Sequence, residues 1–209
     1  MNEKGIFITF EGGDGSGKST QIKKLMKYLE GKGYSVVLTR EPGGTPIGEK
    51  IRDIILDKKH AEMAPMTEAM LYAASRAQHV EEVIKPALEA GSVVICDRFI
   101  DSSLAYQGYA RGLGDSVMNM NEYALDGIMP DLTFLMKIDP RKGKKRIGGR
   151  EADRIEREAL EFHQRVYDGY EKLEKESGGR IVGIDATGKV NDIAEEIIEA
   201  FEEYIDARR

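Results

Sequence analysis

The sequence is poor in cysteine and in long apolar runs, and it has no excess of positive charge. Its single cysteine, Cys96, excludes a disulfide within the chain and a cysteine-based metal site. No run approaches the roughly 20 apolar residues that a membrane-spanning helix needs. The opening stretch MNEKGIFITF lacks the apolar core of a secretion signal. We therefore expect a cytoplasmic protein in which Cys96 is a buried, small apolar side chain.

The charge balance limits the classes of partner. The 209 residues include 31 Lys and Arg against 37 Asp and Glu, which gives a formal net charge of −6. An acidic total disfavours a dedicated nucleic-acid binder, which usually has a basic excess. It does not disfavour a small phosphate ligand, because that needs only a local cluster of Arg and Lys. We predict neither a nucleic-acid nor a membrane partner.

Five apolar, β-branched runs are continuous rather than alternating, which is typical of strands buried on both faces of a sheet. These runs cover residues 5–10, 36–39, 93–96, 132–138 and 181–184. Segments with helical periodicity separate them, over residues 19–30, 67–90, 118–129, 155–176 and 190–207. The alternation predicts an α/β fold: a three-layer sandwich with a parallel, five-stranded sheet between helices and right-handed crossovers. No linker divides residues 1–209, so we expect a single domain.

The segment 140–154, PRKGKKRIGGREADR, differs from the rest of the chain. It is crowded with Arg, Lys and Gly, and it has almost no apolar residue. It lies between the fourth predicted strand and a long predicted helix, where an open, mobile basic loop would fit. Composition alone does not separate a loop that covers an anionic ligand from an ordinary solvated loop.

Residues 12–19, GGDGSGKS, match the P-loop pattern G-x-x-x-x-G-K-[ST] between the first strand and the first helix. Glycines let backbone N–H groups curl around a polyphosphate, and the positive end of the following helix favours an anion. Lys18 can reach the β- and γ-phosphates, and the Ser19 hydroxyl can bind Mg²⁺. We therefore expect a P-loop NTPase-type fold. The expected triphosphate-binding residues are Gly12, Gly13, Asp14, Gly15, Ser16, Gly17, Lys18, Ser19 and Thr20.

The ends of the other strands narrow the class of enzyme. The fourth predicted strand runs into Asp139, so the guanine-reading Asn-Lys-x-Asp motif of GTPases is absent there. The third ends in Asp97, in the position of an acid that binds Mg²⁺, but Arg98 follows directly. An Arg beside that acid favours an anionic co-substrate. Ligands of open parallel sheets lie beyond the carboxyl ends of the strands, where Arg40 and Glu41 also fall.

Five groups of residues carry a close resemblance to the thymidylate kinase family over essentially the whole chain. They are residues 10–20 (FEGGDGSGKST), 39–45 (TREPGGT), 71–76 (LYAASR), 97–108 (DRFIDSSLAYQG) and 185–187 (DAT). The resemblance implies a nucleoside monophosphate kinase that transfers the γ-phosphoryl group of Mg-ATP to dTMP. It also implies a cis peptide bond between Glu41 and Pro42. The family is dimeric, and the predicted helices 67–90 and 118–129 are rich enough in Ala, Leu and Met to contribute to a homodimer interface.

The resemblance also implies roles in binding dTMP. Asp14 would accept a hydrogen bond from the 3′-hydroxyl group. Tyr72, where the family more often has Phe, would stack on thymine. Arg76 would bind the thymine edge and disfavour cytosine, which has a donor where thymine has O4, and Tyr106 would lie beneath the deoxyribose and exclude a 2′-hydroxyl. The remaining implied contacts are Arg52 and Arg98 with phosphate, and Gln107 and Ser102 with the base.

Phosphoryl transfer builds negative charge on the transferring group, and an arginine commonly neutralises it. Some thymidylate kinases carry that arginine in the P-loop, where this chain has Gly15, and bacterial-type members carry it in a lid. The resemblance thus implies that residues 140–154 are the lid, with Arg150 at the transferring group and Arg146 near adenine. The three lid arginines, with Arg154 as the third, could exchange these roles. The other implied site residues are Lys18, Arg98 and Asp14 for catalysis, Asp185 for ATP, and Ser19 and Asp97 for Mg²⁺.

Three other functions remain open. A kinase of the same fold for UMP, CMP or a deoxynucleoside is disfavoured by Tyr72, Arg76 and Tyr106 together. A non-catalytic nucleotide switch would have no need of Arg98 or of the basic lid. A nucleic-acid ATPase agrees poorly with the acidic charge and the short chain.

Overall fold

A parallel sheet of five strands is the centre of the fold. The computed structural model describes residues 5–147 and 151–208. The strands lie in the spatial order β2-β3-β1-β4-β5, and every neighbouring pair is parallel. They are β1 (Ile6–Glu11), β2 (Val36–Arg40), β3 (Val93–Asp97), β4 (Leu132–Lys137) and β5 (Ile181–Asp185). The predicted five-stranded parallel α/β fold is therefore confirmed.

Helices cover both faces of the sheet. They are α1 (Lys18–Gly31), α2 (Pro46–Leu56), α3 (Pro65–His79), α4 (Lys85–Glu89), α5 (Ile100–Ser103), α6 (Ser116–Leu125), α7 (Pro140–Arg146), α8 (Leu160–Glu176) and α9 (Val190–Arg208). Two π-helical segments, Val80–Ile84 and Leu104–Ala110, continue α3 into α4 and extend α5. No helix among the described residues is long and apolar enough to cross a membrane.

Strand β1 shows why the apolar runs are continuous. Successive side chains of a strand point to opposite faces, so Ile8 and Phe10 join the core under α1 and α9, whereas Phe7 joins the core on the other face. Both faces are covered, so neither needs a polar side chain. Cys96 in β3 is fully buried, as expected.

Two predicted helix boundaries are wrong. Helix α8 begins at Leu160 rather than at residue 155, because Ile155 is buried from a turn, in a cluster with Tyr106 and Phe162. Ile155 therefore fits the helical apolar pattern although it does not belong to a helix. Helix α6 was predicted to run to residue 129, but it ends at Leu125. The next residue, Asp126, adopts a left-handed conformation (φ 45°), which terminates the helix.

Helices α2 and α7, near the expected site, were not predicted, and neither were α5 and the π-helical segment Leu104–Ala110. Thr45 caps α2 by accepting a hydrogen bond from the Gly48 N–H at 2.9 Å. Asp139 caps α7 by accepting from the Arg141 N–H at 2.7 Å. Each cap is followed by proline at the first helical position, where its missing N–H costs nothing. The expectation of an open loop is therefore wrong for Pro140–Arg146, although the lysines and Arg146 in its last turn complement the helix dipole.

Candidate active site

A cavity of about 590 Å³ opens beyond the carboxyl ends of β1, β2 and β3. Most of the predicted site residues line it: Asp14, Gly15, Gly17, Lys18, Ser19, Thr20, Arg52, Tyr72, Arg76, Asp97, Arg98, Ser102, Tyr106, Gln107 and Arg146. Gly12, Gly13, Ser16 and Asp185 lie outside this lining, and Gly13 borders a neighbouring cavity instead. Arg150 lies outside the described residues. The topology thus brings together residues from widely separated segments of the chain.

The P-loop has the backbone that a phosphate cradle needs. Gly12, Gly15 and Gly17 have φ of 126°, 75° and 91°, in the region that favours glycine. The buried Lys18 donates hydrogen bonds to the carbonyl oxygens of Gly12 at 3.0 Å and Gly13 at 3.2 Å. Burial and the nearby Arg98 charge lower the pKa of Lys18 to about 8. An arriving polyphosphate would stabilise its charged form.

Helix α7 packs directly on the P-loop. A Cβ added to Gly15 would lie 2.2 Å from the Gly143 carbonyl oxygen, and one added to Gly143 would lie 2.5 Å from that of Asp14. In this arrangement the P-loop has no room for a side chain at residue 15. This contact agrees with the expectation that the P-loop does not supply the transition-state arginine.

Arg98 is held on several sides. Its φ is 71°, and its Nη2 donates to Oδ1 of Asp14 at 2.7 Å. Its guanidinium carbon lies 5.3 Å from the centre of the Tyr106 ring. Burial acts to lower the pKa of Arg98, but Tyr106 and Asp14 outweigh it and raise that pKa well above its ordinary value. Burial likewise acts to raise the pKa of Asp14, but Arg98 and Lys18 bring it below its ordinary value, so the pair is ionised.

Glu11 was not among the predicted site residues. It is fully buried at the end of β1, and its carboxylate accepts hydrogen bonds from Phe99 N, Ser102 Oγ and Tyr170 Oη at 2.6–2.7 Å. The Ser102 and Tyr170 hydroxyls lie 3.3 and 3.5 Å from Nη1 of Arg98. Glu11 therefore supports Arg98 through two hydroxyls, and Ser102 lies at Arg98. A buried acid at the end of the P-loop strand was the available sequence signal.

Glu11 leads to a pH prediction. Burial and the Asp101 charge raise the pKa of Glu11 from 4.5 to about 7. The folded protein then binds more protons than the unfolded chain between these values, so this group's stabilising contribution is lost as pH rises across that window. We expect the melting temperature of wild type, relative to that of Glu11→Gln, to fall between pH 5 and 7 and then level off.

The matched control for this pH prediction is Asp14→Asn, measured by thermal unfolding of the ligand-free protein at the same pH values. The pKa of Asp14 is below 3.8, so the stability that this carboxylate contributes is fully present above about pH 5. The difference in melting temperature between wild type and Asp14→Asn should therefore stay constant. If the difference in melting temperature between wild type and Glu11→Gln is equally constant, Glu11 titrates below this pH range.

Arg76 lies in a buried polar network rather than at a surface salt bridge. It is 1% exposed, and its Nη2 pairs with Oε2 of Glu41 at 2.7 Å. It also donates to Asn121 Oδ1 and to Ser103 Oγ. Its buried Nε has no hydrogen-bond partner among the described residues. Ser103, which was not predicted, thus lies at Arg76, whereas Ser102 lies at Arg98; adjacent serines on a helix point in different directions.

Glu41 connects Arg76 to the loop after β2. Its Oε1 lies 3.0 Å from Nδ1 of the buried His79, whose Nε2 lies 2.6 Å from Thr39 Oγ1. The peptide bond between Glu41 and Pro42 is cis, as the resemblance implied.

Two arginines converge on the same loop. Nη1 of Arg40 and Nη1 of Arg52 donate to the Pro42 carbonyl oxygen at 3.0 and 2.9 Å. Burial and the neighbouring Arg40 charge lower the pKa of Arg52. Adjacent guanidinium groups repel each other, and an anion between them would relieve that repulsion. Arg40 lies at a predicted strand end but is not among the predicted site residues. It meets Arg52 because the unpredicted helix α2 folds back over the loop.

The lid arginines that the structure describes have different surroundings. Arg146 donates to the carbonyl oxygens of Ala186 at 3.0 Å and Gly15 at 3.5 Å, so it bridges the P-loop and the segment after β5. Arg154 is buried and forms an ion pair with Glu68 at 2.7 Å. Asp185 is exposed, and its carboxylate accepts from the N–H and the hydroxyl of Thr187, which orders this turn.

The predicted metal ligands fit Mg²⁺ bound together with a nucleotide. Within residues 5–147 and 151–208, no group of three or more His, Cys, Asp or Glu could hold a metal alone. Asp97, however, has a buried Oδ1 without a hydrogen-bond partner in the described chain, and Ser19 is exposed in the same cavity. Mg²⁺ commonly takes one or two protein ligands and completes its octahedron with phosphates and water.

Comparison with known proteins identifies the family of the chain. The family model described as Thymidylate kinase matches residues 10–197. A thymidylate kinase of Thermoanaerobacter sp. (strain X514) is 53% identical over 97% of this chain and 100% of its own length. That of Bacillus pumilus is 50% identical over 96% and 97%. The crystal structure of thymidylate kinase from Ehrlichia chaffeensis superposes with a TM-score of 0.79 at 35% identity, covering 95% of this chain and all of that one. The family model and these full-length relatives show that the chain, with its P-loop cavity, belongs to the thymidylate kinase family.

Proposed function

We propose that this chain transfers the γ-phosphoryl group of Mg-ATP to the 5′-phosphate of dTMP, giving ADP and dTDP, a step in the synthesis of dTTP. The observation that carries the proposal is that the P-loop and an arginine-rich acceptor region share one cavity. Arg98 lines that cavity and is paired with Asp14 of the P-loop. We further propose that residues 1–209 act as a single domain, with residues 140–154 as the lid.

On the ATP side, the N–H groups of residues 12–20 bind the phosphates, and Lys18 moves from the P-loop carbonyls to the β- and γ-phosphates. Arg146 is suited to pack near adenine, because it bridges Gly15 and Ala186. Asp185 supports that region by holding the turn through Thr187. Mg²⁺ would be held by Ser19 and Asp97, and it would neutralise charge on the phosphates.

On the acceptor side, Arg52 and Arg40 bind the dTMP phosphate, and Arg98 bridges donor and acceptor with its planar fork. Asp14 accepts a hydrogen bond from the 3′-hydroxyl group, through a carboxylate lone pair that is not used by Arg98. Tyr72 stacks on thymine, and Tyr106, which is 7% exposed, restricts the space at the sugar. An oxygen of the dTMP phosphate attacks the γ-phosphorus, and the bond to the β-phosphate oxygen of ADP breaks. The lid, with Arg150, stabilises the charge and excludes water.

We also propose a cytoplasmic homodimer. Support comes from exposed apolar side chains on the two helices named for this role, Met66 and Met70 on α3 and Tyr123 on α6. Helices α3 and α6 pack against each other, so these side chains lie on neighbouring elements.

The role of Arg76 can be tested by Arg76→Ala. We expect KM for dTMP to rise far more than KM for ATP, because the cavity would lose the donor at the thymine edge. The variant should also lose about 3–5 kcal/mol of stability, because Glu41 remains buried without its main counter-charge. Steady-state kinetics with each substrate varied, together with thermal unfolding, gives both values.

Arg76→Lys is the matched control for this role, because it keeps a charge for Glu41 but loses the fork of the guanidinium. It should be more stable than Arg76→Ala while retaining most of the rise in KM for dTMP. Equal changes in both KM values would show that Arg76 supports the fold and does not bind the base.

The proposed function itself is tested by coupled ADP release with Mg-ATP and dTMP, UMP, CMP or no acceptor. Turnover with dTMP well above the others would support the kinase and its base selectivity together. ADP release that does not depend on the acceptor would contradict the assignment and leave an ATPase.

A further inference from the structure

Glu68 is a buried carboxylate in α3, at 0% exposure, one helical turn before Tyr72 and two turns before Arg76. Its Oε1 accepts a hydrogen bond from Nε2 of Gln107 at 2.9 Å, and Arg111 donates to both of its oxygens. Arg154 adds an ion pair at 2.7 Å. Burial acts to raise the pKa of Glu68, but the bonds from Arg111 and Gln107 bring it below its ordinary value. The group is therefore ionised and can only accept hydrogen bonds.

This environment determines which way the Gln107 amide points. A side-chain amide has a donor end and an acceptor end, and an ionised carboxylate can bind only the donor end. Gln107 is 1% exposed and lines the same cavity as Tyr72 and Arg76. With its nitrogen held by Glu68, the oxygen is the end of the amide left for another partner.

An acceptor at this position distinguishes pyrimidines. Thymine has a donor, N3–H, between two carbonyl groups, whereas cytosine has an unprotonated, accepting N3 next to its amino group. With a base in this cavity, a fixed Gln107 oxygen facing N3 would complement the thymine N3–H and oppose the cytosine N3, just as Arg76 would complement O4. A freely rotating amide could adapt to either base.

We propose that Glu68 is a positioning residue for base selection: by binding the nitrogen of the Gln107 amide, it makes Gln107 an acceptor and so favours dTMP over dCMP. The inference rests on the proposed function, since it takes thymine as the base in this cavity. It assigns to Glu68 a role in specificity in addition to its ion pairs with Arg111 and Arg154.

The test is the ratio of kcat/KM for dTMP to kcat/KM for dCMP, measured in the same protein preparation so that the folded fraction cancels. In Glu68→Gln the new amide can donate as well as accept, so Gln107 is free to turn over. We expect the ratio to fall about tenfold or more, because the cost of an opposed acceptor in dCMP is then removed. KM for ATP should change little.

Because Glu68→Gln also weakens two ion pairs, Glu68→Asp serves as the second variant. It keeps the charge for Arg111 and Arg154 but retracts the carboxylate from Gln107 by one methylene, and it should lower the ratio as well. Glu158→Gln is the matched control. It removes the other carboxylate paired with Arg111, at 2.6 Å, without touching Gln107, and should leave the ratio unchanged.

Gln107→Met separates the possible outcomes. If Gln107→Met lowers the ratio and neither Glu68 variant does, Glu68 does not orient the amide and the inference is overturned. If no variant changes the ratio, Gln107 does not read the base, which also overturns it, while turnover of dTMP by wild type still supports the proposed function. Absence of dTMP turnover in wild type would instead contradict the proposed function itself.

Discussion

Replacing Arg98 with alanine should lower kcat by about 10³-fold or more, because an arginine that neutralises a transferring phosphoryl group contributes about 10³ to 10⁵ in kcat. The residue is half-buried, its backbone adopts a left-handed conformation (φ 71°), and it is paired with Asp14 at 2.7 Å and packed on the Tyr106 ring. Its position is thus pre-organised and needs little rearrangement during the reaction. The measurement is ADP release at saturating Mg-ATP and dTMP.

Two further variants separate chemistry from substrate binding. Arg98→Lys keeps the charge but loses the planar fork, so its kcat should lie between those of wild type and Arg98→Ala. Arg40→Ala should mainly raise KM for dTMP, because Arg40 is half-exposed and bonds to the acceptor-side loop. An Arg98→Ala enzyme with kcat within about threefold of wild type would contradict the role.

Arg150→Ala should lower kcat by about 10² or more, as expected for an arginine finger that acts on the transferring group. The residue lies outside the described part of the chain, and the surroundings of the other candidates favour Arg150 for this role. Residue 15 has no room for a side chain beneath Gly143, and Arg154 is buried against Glu68. Arg146 bonds to carbonyl oxygens at the edge of the cavity.

Arg146→Ala is the natural comparison for this second prediction. If Arg146 packs near adenine, its loss should raise KM for ATP with a smaller effect on kcat. Single-turnover kinetics would show whether the chemical step itself has slowed. Near-normal kcat in Arg150→Ala, together with a large loss in Arg146→Ala, would transfer the role to Arg146.

The sheet and the P-loop were predictable because their signals are local. A buried parallel strand needs a continuous apolar run, and all five runs became strands within a residue or so of the predicted bounds. The phosphate cradle depends on glycines and a lysine at fixed spacing within one short segment.

Helix ends and short helices were less predictable. A cap such as Asp139 before Pro140 is a local signal, but the lysine- and glycine-rich sequence that follows it resembles a loop. The start of α8 was misplaced because Ile155 is apolar for a tertiary reason, its burial against residues of other segments. Periodicity does not separate an apolar residue on a helix from one buried in a turn.

The amino-acid sequence was sufficient for the parallel α/β fold, the phosphate cradle and the residues of the family motifs. Those features depend on residue type and short-range spacing. The supporting groups became visible only after folding: Glu11 bonds to Tyr170, 159 positions away, and Glu68 bonds to Gln107, 39 positions away. Folding also shows that Ser102 bonds to Arg98, whereas the adjacent Ser103 bonds to Arg76. A carboxylate's partner is chosen by which donors the packing brings within about 3 Å, and neighbouring residues in the sequence do not contain that information.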